Sequence, residues 1–204
     1  KGQRSMDAIS QFYYTVSVEQ KKEALNLLLQ KMNPKRSIVF CNTKKMVDEL
    51  VFYLNECGFH SIGLHGDMRQ AARTQVMQDY KNGRIQILVA TDVAARGIDV
   101  EDIDAVFNYD IPQEDEYYIH RIGRTARAGK KGSSYTLVCN RYQLRRIHEI
   151  EEHAHTKIAF AAMPSVTEIE NSRKEYILRD VKEALSSVVD PFYLEMSRSL
   201  LQEE

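Results

Sequence analysis

Three arginines, Arg121, Arg124 and Arg127, recur at every third position of His120-Arg-Ile-Gly-Arg-Thr-Ala-Arg127. On a helix this spacing confines them to roughly a 120° arc. Guanidinium groups are planar, permanently charged and forked, which suits the oxygens of a polyphosphate. A solvated basic face is the commoner meaning of such a charge run. The balance moves towards chemistry because Gly123 and Gly129 accompany the run and Thr91-Asp-Val-Ala-Ala-Arg-Gly-Ile-Asp99 precedes it. Asp99 is a short acceptor suited to ribose hydroxyls, although local capping explains a lone aspartate equally well. No G-x-x-x-x-G-K-[ST] string occurs, so the usual phosphate cradle is missing from this chain. What the chain does carry is the complement of such a cradle: arginines that can be delivered in trans to a phosphoryl group in its transition state.

A second set suits a sugar-phosphate backbone. His65-Gly66-Asp67, Gln70 with Arg73, and Thr91-Asp92 each fall at or near the start of a helix. Free N–H groups and the positive end of the helix dipole favour phosphate there. Gly66 allows close approach, while Arg73 and Thr91 can donate to phosphodiester oxygens. Taken one at a time, these residues read as ordinary polar helix turns. Their joint placement is the signal.

That placement follows from the elements. Strands are expected at Ile9–Val16, Ser37–Cys41, Ser61–His65, Ile85–Ala90, Ile103–Tyr109 and Ser134–Cys139. Helices are expected at Glu19–Met32, after Asn42-Thr43 up to Gly58, at Gln70–Asn82, at Glu114–Arg127 and at Gln143–His153, with a helical turn near Val93–Ala95. This alternation specifies right-handed βαβ units and a mainly parallel sheet covered on both faces: an α/β fold. In such sheets ligands bind beyond the carboxyl ends of the strands. Asn42-Thr43, His65-Gly66-Asp67, Thr91-Asp92 and Asp110 all follow a strand, so the chemistry collects on one rim.

Past Pro164 the pattern changes to two helices, about Glu168–Ser187 and Pro191–Gln202. The first is announced by a capping box at Thr167–Glu170 and the second by Asp190-Pro191. The domains read as 1–163 and 164–204. The hydrophobic share of 43% and charged share of 28% are those of an ordinary soluble protein with an ample core. A net charge of -1 excludes adhesion to nucleic acid by bulk charge and leaves only a local patch. Cys41, Cys57 and Cys139 are too scattered for a metal cluster and read as reduced core thiols. No signal peptide or membrane span is visible, and the cytosol is the default compartment. The start at Lys1, without Met, reads as a fragment.

Four strings resemble motifs IV, IVa, V and VI of DEAD-box RNA helicases, in the order of that family and at its spacing. They are Ser37-Ile-Val-Phe-Cys-Asn-Thr43, His65-Gly-Asp-Met-Arg-Gln-Ala-Ala-Arg73, Ala90-Thr-Asp-Val-Ala-Ala-Arg-Gly-Ile-Asp99 and His120–Arg127. The resemblance covers about residues 8 to 158. It implies a RecA-like three-layer sandwich with a mainly parallel sheet, the second of the two such domains in these enzymes, followed by a helical extension. It further implies ATP as the nucleotide, with Mg2+ held by the N-terminal RecA-like domain. Arg124 and Arg127 would be arginine fingers on the γ-phosphate, and Asp99 would hold the ribose beside Gly97. Thr43, Gly66, Asp67, Arg73 and Thr91 would contact the RNA backbone without reading sequence. Phe40, Gln70, His120 and Arg121 would couple the two ligands through the domain interface. Alone, the chain would not hydrolyse ATP. The tail resembles, loosely, the start of the dimerisation region in bacterial cold-shock-type members, which implies a homodimer through Glu168–Gln202. The rival readings are a DNA-directed helicase domain of the wider superfamily and a non-enzymatic nucleotide- or phosphate-binding module.

Overall fold

The computed structural model describes residues 8–96, 103–126 and 131–186. The chain divides into two compact units, Lys1–Leu29 with Asn33–Met163 and Gln30–Met32 with Pro164–Glu204.

Elements run in the order β1 (Ile9–Thr15), α1 (Lys21–Met32), β2 (Ser37–Phe40), α2 (Lys44–Glu56), β3 (Ser61–Leu64), α3 (Gln70–Lys81), β4 (Ile87–Ala90) and α4 (Asp92–Ala95). They continue with β5 (Ala105–Asn108), α5 (Asp115–Ile122), β6 (Gly132–Val138), α6 (Arg141–Ala154), β7 (Ala159–Phe160) and α7 (Val166–Ser186). The strands form one seven-stranded sheet ordered β3-β4-β2-β5-β6-β1-β7. Each described pairing is parallel. Strands β2, β4 and β5 are buried at every position, as a parallel strand covered on both faces must be. One cluster, around Ile38, Phe40, Tyr80, Leu88 and Val106, seats α3 and α4. Another, around Tyr118, Ile122, Val138, Ile147 and Ile150, seats α5 and α6.

The helix boundaries have local causes. Helix α1 stops where Asn33 turns left-handed (φ 41°) and returns its N–H to the Leu29 carbonyl, with Pro34 next. Thr43 opens α2 by accepting from the Met46 N–H at 3.2 Å, and Asn140 opens α6 by accepting from Gln143 at 2.9 Å.

Three expectations need correction, and one strand was not expected. The helix expected over Glu114–Arg127 ends at Ile122. Beyond Gly123 the Thr125 hydroxyl donates to the Ile103 carbonyl, and Ala126 takes a left-handed φ of 56°. Strand β7 was not legible, since two exposed residues carry no periodicity. Cys41 is buried, but Cys57 is exposed in the turn that ends α2 and is no core thiol. The capping box of α7 is Ser165–Glu168, two positions before the expected Thr167–Glu170. Ser165 Oγ accepts from the Glu168 N–H at 3.2 Å, and Glu168 Oε2 accepts from the Ser165 N–H at 2.8 Å.

Within the second unit, Tyr176 donates to the Lys31 carbonyl at 2.8 Å, and Lys31 pairs with Glu168 at 3.3 Å. Ile177, Leu178 and Val181 are exposed on α7. The helix expected at Pro191–Gln202 lies outside the described residues. Among the described residues, no helix is long and apolar enough to cross a membrane.

Candidate nucleotide and nucleic-acid rim

Because the sheet is parallel, the carboxyl ends of β2, β3, β4 and β5 open onto one rim. That rim carries Asn42 and Thr43, His65 to Asp67, Thr91 and Asp92, and Tyr109 and Asp110. Beneath it lies Arg121, only 1% exposed. Its Nε donates to Asp92 Oδ1 at 2.6 Å and its Nη2 to Asp92 Oδ2 at 2.7 Å, a forked ion pair. Nη2 also donates to Asn42 Oδ1 at 3.0 Å, while Nη1 donates to the Asp110 carbonyl at 2.5 Å and to Asn108 Oδ1 at 3.4 Å. All five guanidinium protons are thereby used. The Phe40 ring lies beneath, 5.1 Å from the guanidinium carbon. The three-arginine stripe therefore breaks at its first member: Arg121 points inward and binds the ends of β2, β4 and β5 to α5.

The network continues. Lys21, 7% exposed, pairs with Asp110 Oδ1 at 2.6 Å and lies 4.2 Å from the centre of the Tyr109 ring. Asp110 Oδ2 accepts from the Asn42 N–H at 3.0 Å, and Asn108 donates onward to Thr136 Oγ1 at 3.1 Å. Two cations and two carboxylates thus alternate, which offsets the cost of removing them from water. Burial, with the Asp110 carboxylate adding to it, pushes the Cys41 thiol far up, so it stays protonated beside this network.

Arg124 is half-buried in the turn after α5, its N–H bonded to the Arg121 carbonyl at 3.1 Å. It lines a depression of about 30 Å³ together with Phe40, Asp92, Arg96, Tyr117 and His120. His120 is exposed. Arg96 donates to the Tyr117 hydroxyl at 2.8 Å, its guanidinium carbon 5.4 Å from the ring centre. Arg96, His120 and Arg124 thus line the same depression as the paired Asp92 and Arg121. Gly97, Asp99 and Arg127 lie outside the described residues.

Along the rest of the rim, Thr91 starts α4 without using its side chain as a cap, and Arg73 Nη2 donates to the Ala94 carbonyl at 3.3 Å. These contacts bring α3 and α4 together. Gln70 is exposed in the first turn of α3, where the preceding Arg69 supplies no side-chain cap. A Cβ at Gly66 would meet nothing within 4 Å, so the space above it is open. Asp67 is paired with Lys44, whose ammonium group holds the Asp67 carboxyl below the usual range. Thr43 is exposed, with its hydroxyl oxygen engaged as the cap of α2. Among the described residues no group of three His, Cys, Asp or Glu side chains is arranged to hold a metal ion.

Lys21, Asn108, Arg96 and Tyr117 had not been singled out. Asn108 and Asp110 carried a readable sign, polar residues closing an otherwise apolar strand. Lys21 carried none.

A parallel sheet with this strand order, its polar residues at the carboxyl ends and basic groups beside them, is a RecA-like domain. Residues 20–129 match the family described as helicase conserved C-terminal domain. The DEAD-box ATP-dependent RNA helicase CshA of Geobacillus kaustophilus is 40% identical over 195 residues, which cover 96% of this chain and 42% of that protein. The Escherichia coli DEAD-box protein SrmB, solved bound to regulator of ribonuclease activity A, superposes with a TM-score of 0.70 at 38% identity over 79% of this chain and 93% of that one. Saccharomyces cerevisiae Dbp5, solved bound to RNA and ADP BeF3, gives a TM-score of 0.75 at 32% identity over 83% of this chain and 45% of that one. The chain belongs to the DEAD-box RNA helicase family and is its helicase C-terminal domain. It spans about two-fifths of the length of the curated relatives it matches.

Proposed function

We propose that this domain is the arginine-bearing half of an ATP-driven clamp on RNA. The observation that carries the reading is the convergence of Arg96, His120 and Arg124 on a depression of about 30 Å³ beside Asp92. That volume is about one water's share of the liquid. A nucleotide therefore needs a second wall, and an N-terminal RecA-like domain of the same protein would supply it.

ATP, with Mg2+ held on that other domain, supplies the phosphoryl group. Arg124, joined by Arg127, stabilises the charge that develops on it, while Asp99 and Gly97 hold the ribose. Thr91, Gly66, Asp67, Arg73 and Thr43 hold the sugar-phosphate backbone of RNA. None of them faces a base edge in this reading, so binding is independent of sequence. Arg121 couples the two by position: it fastens Asp92, next to Thr91, to the helix that leads into the turn of Arg124, with Phe40 beneath it. His120 and Gln70 would face the neighbouring domain. Closure of the two domains would bend one RNA strand and separate a short duplex. The relatives support this: CshA is named an ATP-dependent RNA helicase, and Dbp5 was solved with RNA and ADP BeF3.

The test compares this chain alone with the chain joined to its N-terminal domain. ATP turnover should require the joined form and rise with RNA more than with DNA. Turnover by the chain alone, or equal stimulation by both nucleic acids, would refute the reading. We also propose that Glu168–Gln202 pairs with a second copy, on the strength of the exposed Ile177, Leu178 and Val181. Light scattering at tens of micromolar should return twice the chain mass; a monomer mass would end that part.

A further inference from the structure

Among the described residues, strand β3 is an edge of the sheet, paired with β4 and no other strand. The carbonyl of His60, just before it, accepts from the Gln86 and Ile87 N–H groups and that of Leu64 from the Thr91 N–H, so the alternation of a parallel ladder turns the peptide groups of Ser61 and Gly63 outward. The Asn55 side chain answers Ser61, accepting from its N–H at 2.9 Å and donating to its carbonyl at 3.2 Å. Gly63 has no such partner from α2. A Cβ there would lie 2.9 Å from Val47 Cγ1, so glycine lets the helix sit close while leaving the strand edge open.

Between this edge and α2 runs a groove of about 440 Å³, floored by Val51, Ile62, Gly63 and Met68. On its helix side Asp48, Phe52 and Glu56 follow one another at four-residue intervals, and Phe52 is 70% exposed. An exposed aromatic beside an open strand edge is a template for an added strand. The carboxylates at either end decide what kind. They repel a phosphodiester and attract a basic peptide. Among the described residues that line the groove, His65 is the one basic side chain, its Nε2 3.2 Å from Asp48 Oδ1.

We propose that this groove docks an extended segment of a partner protein in which an apolar side chain is flanked, two residues away on each side, by lysine or arginine. The spacing follows from the geometry. Asp48 and Glu56 are separated by about 12 Å along the helix, at about 1.5 Å per residue. Positions i, i+2 and i+4 of an extended chain share one face and span about 13 Å. The central side chain then covers Phe52 and the outer two meet Asp48 and Glu56, while the peptide backbone pairs with Gly63. The groove lies outside the arginine cluster and is independent of the nucleotide reading.

The test is fluorescence anisotropy on the protein with three labelled probes: a short threonine peptide carrying lysine, leucine and lysine at alternate positions, its glutamate counterpart, and an oligouridine RNA. The lysine peptide should bind at least about tenfold more tightly than the glutamate peptide, and Phe52→Ser should weaken it by about tenfold to a hundredfold. Phe52 is exposed, so matching thermal melts can verify that this variant folds. Glu56→Lys should largely erase the preference between the two peptides, because Asp48 still attracts lysine while the new ammonium group attracts glutamate. Equal or absent binding of the peptides, indifference to Phe52→Ser, or displacement of the lysine peptide by the RNA would overturn the proposal.

Discussion

Replacing Arg121 by alanine removes the donor of five hydrogen bonds in one step. Asn108 is fully buried, so its Oδ1 would be stranded without water at a cost of about 1–3 kcal/mol. The Asp92 carboxylate, whose side chain is 19% exposed, would lose its forked partner, and breaking a buried pair from one side costs about 3–5 kcal/mol. These losses overlap, so about 4 kcal/mol is the reasonable total. It is a large part of the roughly 5–15 kcal/mol that holds a domain together. With a urea slope of about 2.5 kcal/mol per molar, the midpoint should fall by about 1.5 M with the slope unchanged. Arg121→Lys should recover part of this, because an ammonium group has three donors and no fork. A double-mutant cycle with Asp92→Ala should give a coupling of about 2 kcal/mol. A midpoint shift under about 0.2 M for Arg121→Ala, the behaviour of a surface residue, would refute the assignment of Arg121 as the internal tie.

Gly132→Ala should destabilise by about 1–3 kcal/mol, because its Cβ would lie 2.2 Å from Thr125 Oγ1 and 2.7 Å from the Ala126 N. A thermal midpoint within about 1 °C of the parent would contradict the close packing of β6 on the turn that carries Arg124. Glu151 offers a pH test. Burial alone would raise its carboxyl, yet the Ile158 N–H and then His148 outweigh this and hold it below the usual range. A depressed carboxyl stabilises the fold above its unfolded pKa, about 4.3, and that contribution is lost as pH falls through the lower folded value. Glu151→Gln should therefore melt below the parent at pH 7, with the gap closing under about pH 4; a constant gap would contradict the pairing.

Much of the fold is legible because strands buried on both faces cannot hide: Ile38-Val39-Phe40 and Ile87-Leu88-Val89-Ala90 have no polar side to present. The rim was legible for a related reason, since polar residues directly after such strands stand where parallel sheets bind ligands. The stop of α5 at Ile122 was not. Arg124, Ala126 and Arg127 all favour helix, and the turn is made by Thr125 reaching a carbonyl some twenty residues earlier in the chain. Nor was the burial of Arg121, because arginine is nearly always exposed unless a full set of acceptors is assembled around it. Those acceptors come from β2, β4 and β5, and no local spacing reveals them. Lys21 is hidden for the same reason, its partner Asp110 lying far along the chain.

The most direct measurement is RNA-stimulated ATP hydrolysis by the complete protein carrying Arg124→Ala. If Arg124 meets the phosphoryl group only as charge develops on it, kcat should fall by about three orders of magnitude or more while KM for ATP moves by no more than a few fold. An unchanged kcat with a raised KM would show that Arg124 merely helps to hold the nucleotide.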